Sequence, residues 1–202
     1  MKISLQNVGK RYNREWIFRH FNFEFSTTGS YAITGANGSG KSTLLQVIAG
    51  ATTHSEGKLL YEKKEGIFVA EPYLHIAIAA PYLELIEEFT ATELLYFHAG
   101  FKNITAPIPQ ILQSVNLDKA AAKQIRYFSS GMKQRLKLAQ AFFSSSDILL
   151  LDEPTTNLDS EGVSLYKNLV KNYAGNRLLI ISSNVPQEYE FCEQVVRMED
   201  FK

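Results

Sequence analysis

The sequence predicts an α/β protein with a mostly parallel sheet, an antiparallel β entrance at the N-terminus and a small helical lobe inserted over about 84–145. Three observations lead there. A glycine-rich turn joins an apolar strand, Tyr31 to Thr34, to a helical pattern carrying Leu44, Leu45, Val47 and Ile48. Apolar runs alternate with amphipathic segments from Ile148 to Met198, which is how a parallel sheet covered by helices reads. Between the two lies a stretch of helical spacing and prolines, from Thr90 to about Arg126.

Each element has a local reason. Phe21, Phe23 and Phe25 alternate with Asn22 and Glu24, the period of a half-buried strand. Ser26-Thr27-Thr28-Gly29 makes a turn before the next strand. Gly57 to Tyr61 and Gly66 to Ala70 read as two more strands. Thr90-Ala91-Thr92-Glu93 is a capping box opening an amphipathic helix through Phe97. Pro107 and Pro109 break the chain, and Ile111, Leu112 and Val115 mark a further helical turn or two. Ser130 to Phe143 is a helix with Met132, Leu136, Ala139 and Phe143 on one face. The rest alternates: strand Ile148–Leu151, helix Ser160–Tyr173, strand Leu178–Ser182, helix Pro186–Phe191, strand Val195–Met198. At 202 residues, 1–202 is most simply one domain.

Composition narrows the partners. Hydrophobic content of 45% and charged content of 21% are those of an ordinary globular protein. A formal net charge of zero argues against nucleic acid as the main partner, since such proteins carry a basic excess. The single cysteine, Cys192, cannot form an intramolecular disulfide and suits a reducing cytoplasm; it reads as a packing residue. The four histidines lack metal-ligand spacing. The N-terminus lacks the apolar core of a signal peptide. The apolar run Ile76 to Leu83 is too short to span a bilayer and contains Pro81, so any membrane role is expected to come through a partner.

The chemistry concentrates in two places. Gly35-Ala36-Asn37-Gly38-Ser39-Gly40-Lys41-Ser42 meets every fixed position of the phosphate-binding loop G-x-x-x-x-G-K-[ST], with strand before it and helix after, and predicts a P-loop NTPase core. Glycines let backbone N–H groups turn inward, and the helix start at Lys41, Ser42 and Thr43 adds partial positive charge where a polyphosphate sits. Lys41 reaches the outer phosphates and the Ser42 hydroxyl can ligate Mg²⁺, so ATP and Mg²⁺ are the expected ligands. The second place is Asp147 to Pro154, a buried-strand run ending in adjacent carboxylates. Asp152 is expected to hold Mg²⁺, and Glu153 to polarise a water toward the γ-phosphate, with Lys41 completing the catalytic set.

These pieces resemble the ATP-binding cassette (ABC) ATPase family, and the resemblance covers almost the whole chain. Phe128-Ser129-Ser130-Gly131-Met132, followed by Lys133-Gln134-Arg135, stands where the family carries its signature sequence. Asn157-Leu158-Asp159 matches the family's D-loop, and Tyr12 sits where the family places an aromatic that stacks on adenine. The resemblance implies a head-to-tail homodimer closed by ATP, in which Ser129, Ser130 and Gly131 of one copy face the phosphate loop of the other. The same three residues also make an ordinary helix N-cap. It further implies a separate transmembrane permease subunit that holds the chain, cytoplasmic, against the inner face of the cell membrane.

Two family positions are not matched. The family's Gln before the helical lobe has no counterpart, because no Gln occurs between Gln46 and Gln110; Ala79-Ala80-Pro81-Tyr82-Leu83-Glu84 stands there, with Glu84 as a substitute acceptor. The family's His after the penultimate strand is also absent. Ser183 and Asn184 occupy its region, the spacing does not choose between them, and Asn184 can donate to a phosphate oxygen but carries no charge. The expectation is therefore an ATP-binding and ATP-hydrolysing transporter subunit of exporter type, slow if those substitutes serve poorly. The alternative is a non-transport ABC protein that uses ATP-dependent dimerisation with weak or no hydrolysis. A soluble cassette acting on ribosomes or DNA fits less well with zero net charge and no inserted arm.

Overall fold

The computed structural model describes residues 1–64 and 66–201. Its chain opens with a long hairpin, β1 (Lys2–Tyr12) and β2 (Glu15–Phe25), paired antiparallel with Ile3 opposite Phe25 and Leu5 opposite Phe23. Phe18, Phe21 and Phe25 are fully buried, while Asn22 and Glu24 face water. The hairpin is longer than the period-two pattern at 21–25 suggests, because β1 is bulged and its polar residues blur the alternation.

After β3 (Ser30–Thr34) and α1 (Lys41–Ile48), β4 (Glu56–Lys64) returns to pair with β1, and β5 (Ile67–Phe68) adds a short edge. The antiparallel order is β2-β1-β4-β5. The chain then returns through β6 (Ile76–Ala79) to the parallel sheet that β3 belongs to. Helices α2 (Ala91–Ala99), α3 (Ile108–Ser114) and α4 (Ser130–Phe142) follow before β7 (Ile148–Asp152). α5 (Ser160–Tyr173), β8 (Leu178–Ser182) and β9 (Gln194–Arg197) complete the order β6-β7-β8-β3-β9, all parallel. The α/β class, the parallel sheet and the antiparallel entrance are as the sequence predicts.

The parallel sheet is buried on both faces, which is why β7 and β8 read as unbroken apolar runs. Ile148 and Leu150 pack on one side with Ile33, Leu44, Leu45 and the phenylalanines of β2. Leu149 and Leu151 pack on the other with Leu94, Leu95, Ile111 and Leu136 of α2–α4. Each fully buried leucine contributes about 1.5–3 kcal/mol. Tyr31 joins the two sheets: its ring lies 5.0 Å from Phe25, edge-on, and its hydroxyl accepts from the Ser26 N–H at 2.9 Å.

Local signals hold at most element ends. Thr90 and Glu93 form the reciprocal capping box. Pro107 and Pro109 begin α3 rather than break the chain, since a proline in the first turn lacks only an N–H that has no helical partner. Two readings change. Pro186 to Phe191 is not a helix; only Pro186–Glu188 forms a 3-10 turn, because the Glu188 carbonyl is taken by the Tyr166 hydroxyl at 2.7 Å. The run from Ile76 contains a strand the spacing does not reveal, since its Ala77 and Ala79 carry little strand preference of their own. Cys192 packs against the helical-side core, and burial pushes its thiol up to about 12.

Candidate functional site

β3 ends at Thr34 and releases the chain into the loop 35–40, whose glycines Gly35, Gly38 and Gly40 all have positive φ. Gly40, at 103°, caps α1, and a Cβ there would stand 2.6 Å from the Ile17 side chain. A residue with a side chain would meet both a left-handed backbone and that wall. The Ser39 N–H bonds the Ala36 carbonyl at 3.0 Å and tightens the loop. Beyond Gly40 the first N–H groups of α1, those of Lys41, Ser42 and Thr43, have no carbonyl within the helix to bond. Lys41 is 5% exposed, and its ammonium donates to the carbonyls of Gly35 at 2.7 Å and Ala36 at 3.2 Å. Those bonds fold the side chain over the loop that would hold phosphate.

Opposite stands the end of β7. Asp152 is 1% exposed, and its Oδ1 is buried with no hydrogen-bond partner among the described residues. Burial raises its carboxyl above the ordinary range, against the hydroxyls of Ser42 and Ser182, with Glu153 adding to the rise and Lys41 opposing it. A buried carboxylate oxygen without a donor, beside a serine hydroxyl, is an oxygen-donor set for a hard cation, and Mg²⁺ fits it. Glu153 follows with φ of 43°, unusual for a residue with a side chain. Its N–H bonds the Ser182 carbonyl at 2.8 Å, and its Oε2 accepts from the Thr156 hydroxyl at 3.3 Å. Glu153, Asn37, Lys41, Ser42 and Thr43 line one cleft of about 220 Å³ with Ile17 as its apolar wall.

The end of β8 separates the two residues that sequence spacing leaves level. Ser183 is fully buried; its N–H bonds the Ile33 carbonyl at 3.1 Å and its hydroxyl accepts from the Val185 N–H at 2.8 Å. Asn184 is exposed and donates from Nδ2 to Oδ1 of Asn37, in the phosphate loop, at 2.8 Å. Asn184 is therefore the one that bonds a residue of the cleft, Asn37.

Other candidates lie further off. Ser129 caps α4 by accepting from the Met132 N–H at 3.2 Å; Ser129 and Ser130 are exposed, and Gly131 passes so near Asn157 that a Cβ would be 3.0 Å from its carbonyl oxygen. Tyr12 ends β1, is 47% exposed and has the Lys10 ammonium 4.7 Å from its ring centre, outside the residues that line the cleft. Glu84 stands beside Lys133 and Lys137 on the helical side rather than at the cleft, because the chain turns there after Pro81, whose carbonyl Lys137 holds at 2.7 Å. Tyr82, which the sequence reading leaves without a role, comes closer: it bonds Gln46 and lies near enough to Asp152 to feel its charge, and mainly burial pushes its phenol up to about 12. Gln134 was also missed; it is 2% exposed and donates to the Pro154 carbonyl at 2.9 Å, fastening α4 to the turn after Glu153. Nothing in its helix spacing marks it, since its partner is distant in sequence.

A family model described as ABC transporter matches residues 18–156, which takes in both the phosphate loop and the β7 carboxylates. The chain is 30% identical over 205 residues to a Nod factor export ATP-binding protein of Rhizobium johnstonii, covering 98% of this chain and 66% of that one. It is 28% identical over 198 residues to a lantibiotic transport ATP-binding protein of Streptococcus pyogenes, covering 93% and 82%. Among solved structures, a dimeric bacterial ABC transporter cassette superposes with a TM-score of 0.83 at 23% identity, covering 96% and 93%. This chain thus spans slightly under two thirds of the Nod factor relative's length.

Proposed function

This chain belongs to the ABC transporter family, and we propose that it is the ATP-binding and ATP-hydrolysing subunit of such a transporter, of exporter type, coupled to a separate membrane subunit. The observation that carries this reading is the buried Oδ1 of Asp152, without a donor among the described residues, on a carboxyl that also interacts with the Ser42 hydroxyl at the start of α1. Residues 1–202 act as one cassette, with the helices of about 84–145 as its lobe.

In this mechanism the loop 35–40 and the first N–H groups of α1 wrap the phosphates, and Lys41 leaves the Gly35 and Ala36 carbonyls for the outer phosphate oxygens. Ser42 and Asp152 would hold Mg²⁺, which would supply positive charge against the phosphate oxygens. Glu153 takes a proton from the attacking water, and Asn184 exchanges its bond to Asn37 for one to the γ-phosphate. Ser129, Ser130 and Gly131 of a second copy close over the same phosphate, so the hydrolysing unit is a head-to-tail homodimer; Tyr12 stacks on the base. Export is supported by the name of the Nod factor relative, and transport by that of the lantibiotic relative. Among the described residues no helix is long and apolar enough to cross a membrane, so attachment to the cytoplasmic face of the cell membrane runs through the partner.

A second reading has its own support. The stretch from Ala79 to Glu84 stands where the family carries its Gln, and Ser183 and Asn184 where it carries its His, and neither stretch brings the missing group. A non-transport ABC protein that dimerises on ATP and hydrolyses it weakly would tolerate both. Co-expression with a candidate integral membrane subunit separates the two. A detergent-stable complex with ATPase activity above that of the free chain supports the transporter; ATP-dependent dimers that ignore the membrane protein and turn over almost no ATP support the alternative.

A further inference from the structure

Glu188 is a carboxyl side chain that none of these roles uses. It is 2% exposed, in the 3-10 turn Pro186–Glu188, four residues beyond Asn184. Its Oε1 accepts from the N–H of Thr155 at 2.9 Å and also from the Thr155 hydroxyl. Its Oε2 is buried without a hydrogen-bond partner among the described residues. Burying a carboxyl with one oxygen unmatched costs stability, so packing alone is a poor reason for this residue type here.

What Glu188 grips gives a better reason. Thr155 lies two residues after Glu153, in a turn fastened at every step: the Glu153 N–H to Ser182, the Pro154 carbonyl to Gln134, and the Thr156 N–H back to the Glu153 carbonyl at 3.1 Å. Glu153 itself sits at a φ that a side chain resists, and such a conformation persists only where its surroundings over-determine it. We propose that Glu188 is the positioning residue for Glu153, clamping the turn after β7 through Thr155 and tying that turn to the segment that carries Asn184. The proposal rests on the reading of Glu153 as the group that polarises the attacking water. Movement of Asn184 toward a bound phosphate would then be felt at Glu153 through the 3-10 turn Pro186–Glu188 and the bonds of Glu188 to Thr155.

The test uses the whole chain as wild type, Glu188→Ala, Glu188→Gln and Thr155→Val, with two readouts: Mg-ATP turnover resolved into kcat and KM, and amide exchange of Thr155. Glu188→Ala should lower kcat by about tenfold to a hundredfold, the scale of a small misplacement of a reacting group, with KM within about twofold. Its Thr155 amide should exchange about tenfold faster, as expected when a hydrogen bond to a carboxylate is lost. Glu188→Gln keeps an acceptor oxygen for both bonds and should recover both quantities. If Glu188→Ala does not fold, Thr155→Val carries the test by removing the hydroxyl bond alone, with a smaller loss in kcat and again no change in KM. Wild-type kcat in Glu188→Ala, or a loss confined to KM, overturns the proposal. So does a Gln variant as poor as the Ala variant. If the wild type binds Mg-ATP and hydrolyses none, the reading of Glu153 fails, and the Thr155 exchange alone decides whether Glu188 holds the turn.

Discussion

The phosphate loop and the loops after β6 and β8 lie along the same edge of the parallel sheet, yet they are made of different things. The phosphate loop works through its backbone: positive-φ glycines, a helix start and one lysine held by two carbonyls. The other two loops depend on single side chains, and there the chain presents Pro81 with Tyr82 behind it, and an Asn184 that can donate but cannot carry charge. Backbone donors survive most substitutions around them, whereas a sensing side chain is lost with one codon. Tight binding and fast turnover can therefore separate in this fold, and the reading proposed for this chain is that it binds better than it hydrolyses.

That contrast can be broken from the catalytic side first. Glu153→Gln should lower turnover by about a hundredfold or more, the usual scale for removing a general base, while Mg-ATP still binds; steady-state rates beside calorimetric titration give both numbers. Lys41→Ala should act the other way, weakening Mg-ATP by about tenfold or more, in line with ~1.5–3 kcal/mol for a charged hydrogen bond. Unchanged affinity in that titration would remove the phosphate loop from the account. Asn184 sharpens the comparison: Asn184→Ala should slow turnover severalfold with little change in affinity, and Asn184→His should raise it above wild type. The smallest effect is at the base. Tyr12→Ala should weaken ATP and GTP alike by ~0.5–1.5 kcal/mol, because stacking reads an aromatic face and little else. Loss of ATP binding alone would mean a base-specific contact instead.

Legibility followed the same division. The phosphate loop and the paired carboxylates could be read from the sequence because their chemistry is set by contiguous residues and backbone geometry. Helix α5 and strand β8 were legible to the residue, since each has a local boundary: the Asp159 cap before α5, and the apolar run of β8. β6 was hidden because its alanines gain strand character only from burial between β7 and the helices. The 186–191 segment misled because it has helical composition, but Glu188 turns inward to Thr155 and spends its carbonyl on Tyr166. Gln134 and Glu188 were invisible for one reason: a buried polar side chain is defined by a partner far along the chain. The choice between Ser183 and Asn184 needed the end of β8, where burial takes one and leaves the other facing Asn37.

The central claim is that ATP is the joint between two copies and that hydrolysis releases it. Light scattering of the Glu153→Gln chain, with and without Mg-ATP, tests this most directly. The account predicts a monomer without nucleotide and a stable dimer with it, and for the wild type a smaller dimer fraction that decays as ATP is consumed. Brisk turnover by Glu153→Gln with no dimer at any ATP concentration would contradict it.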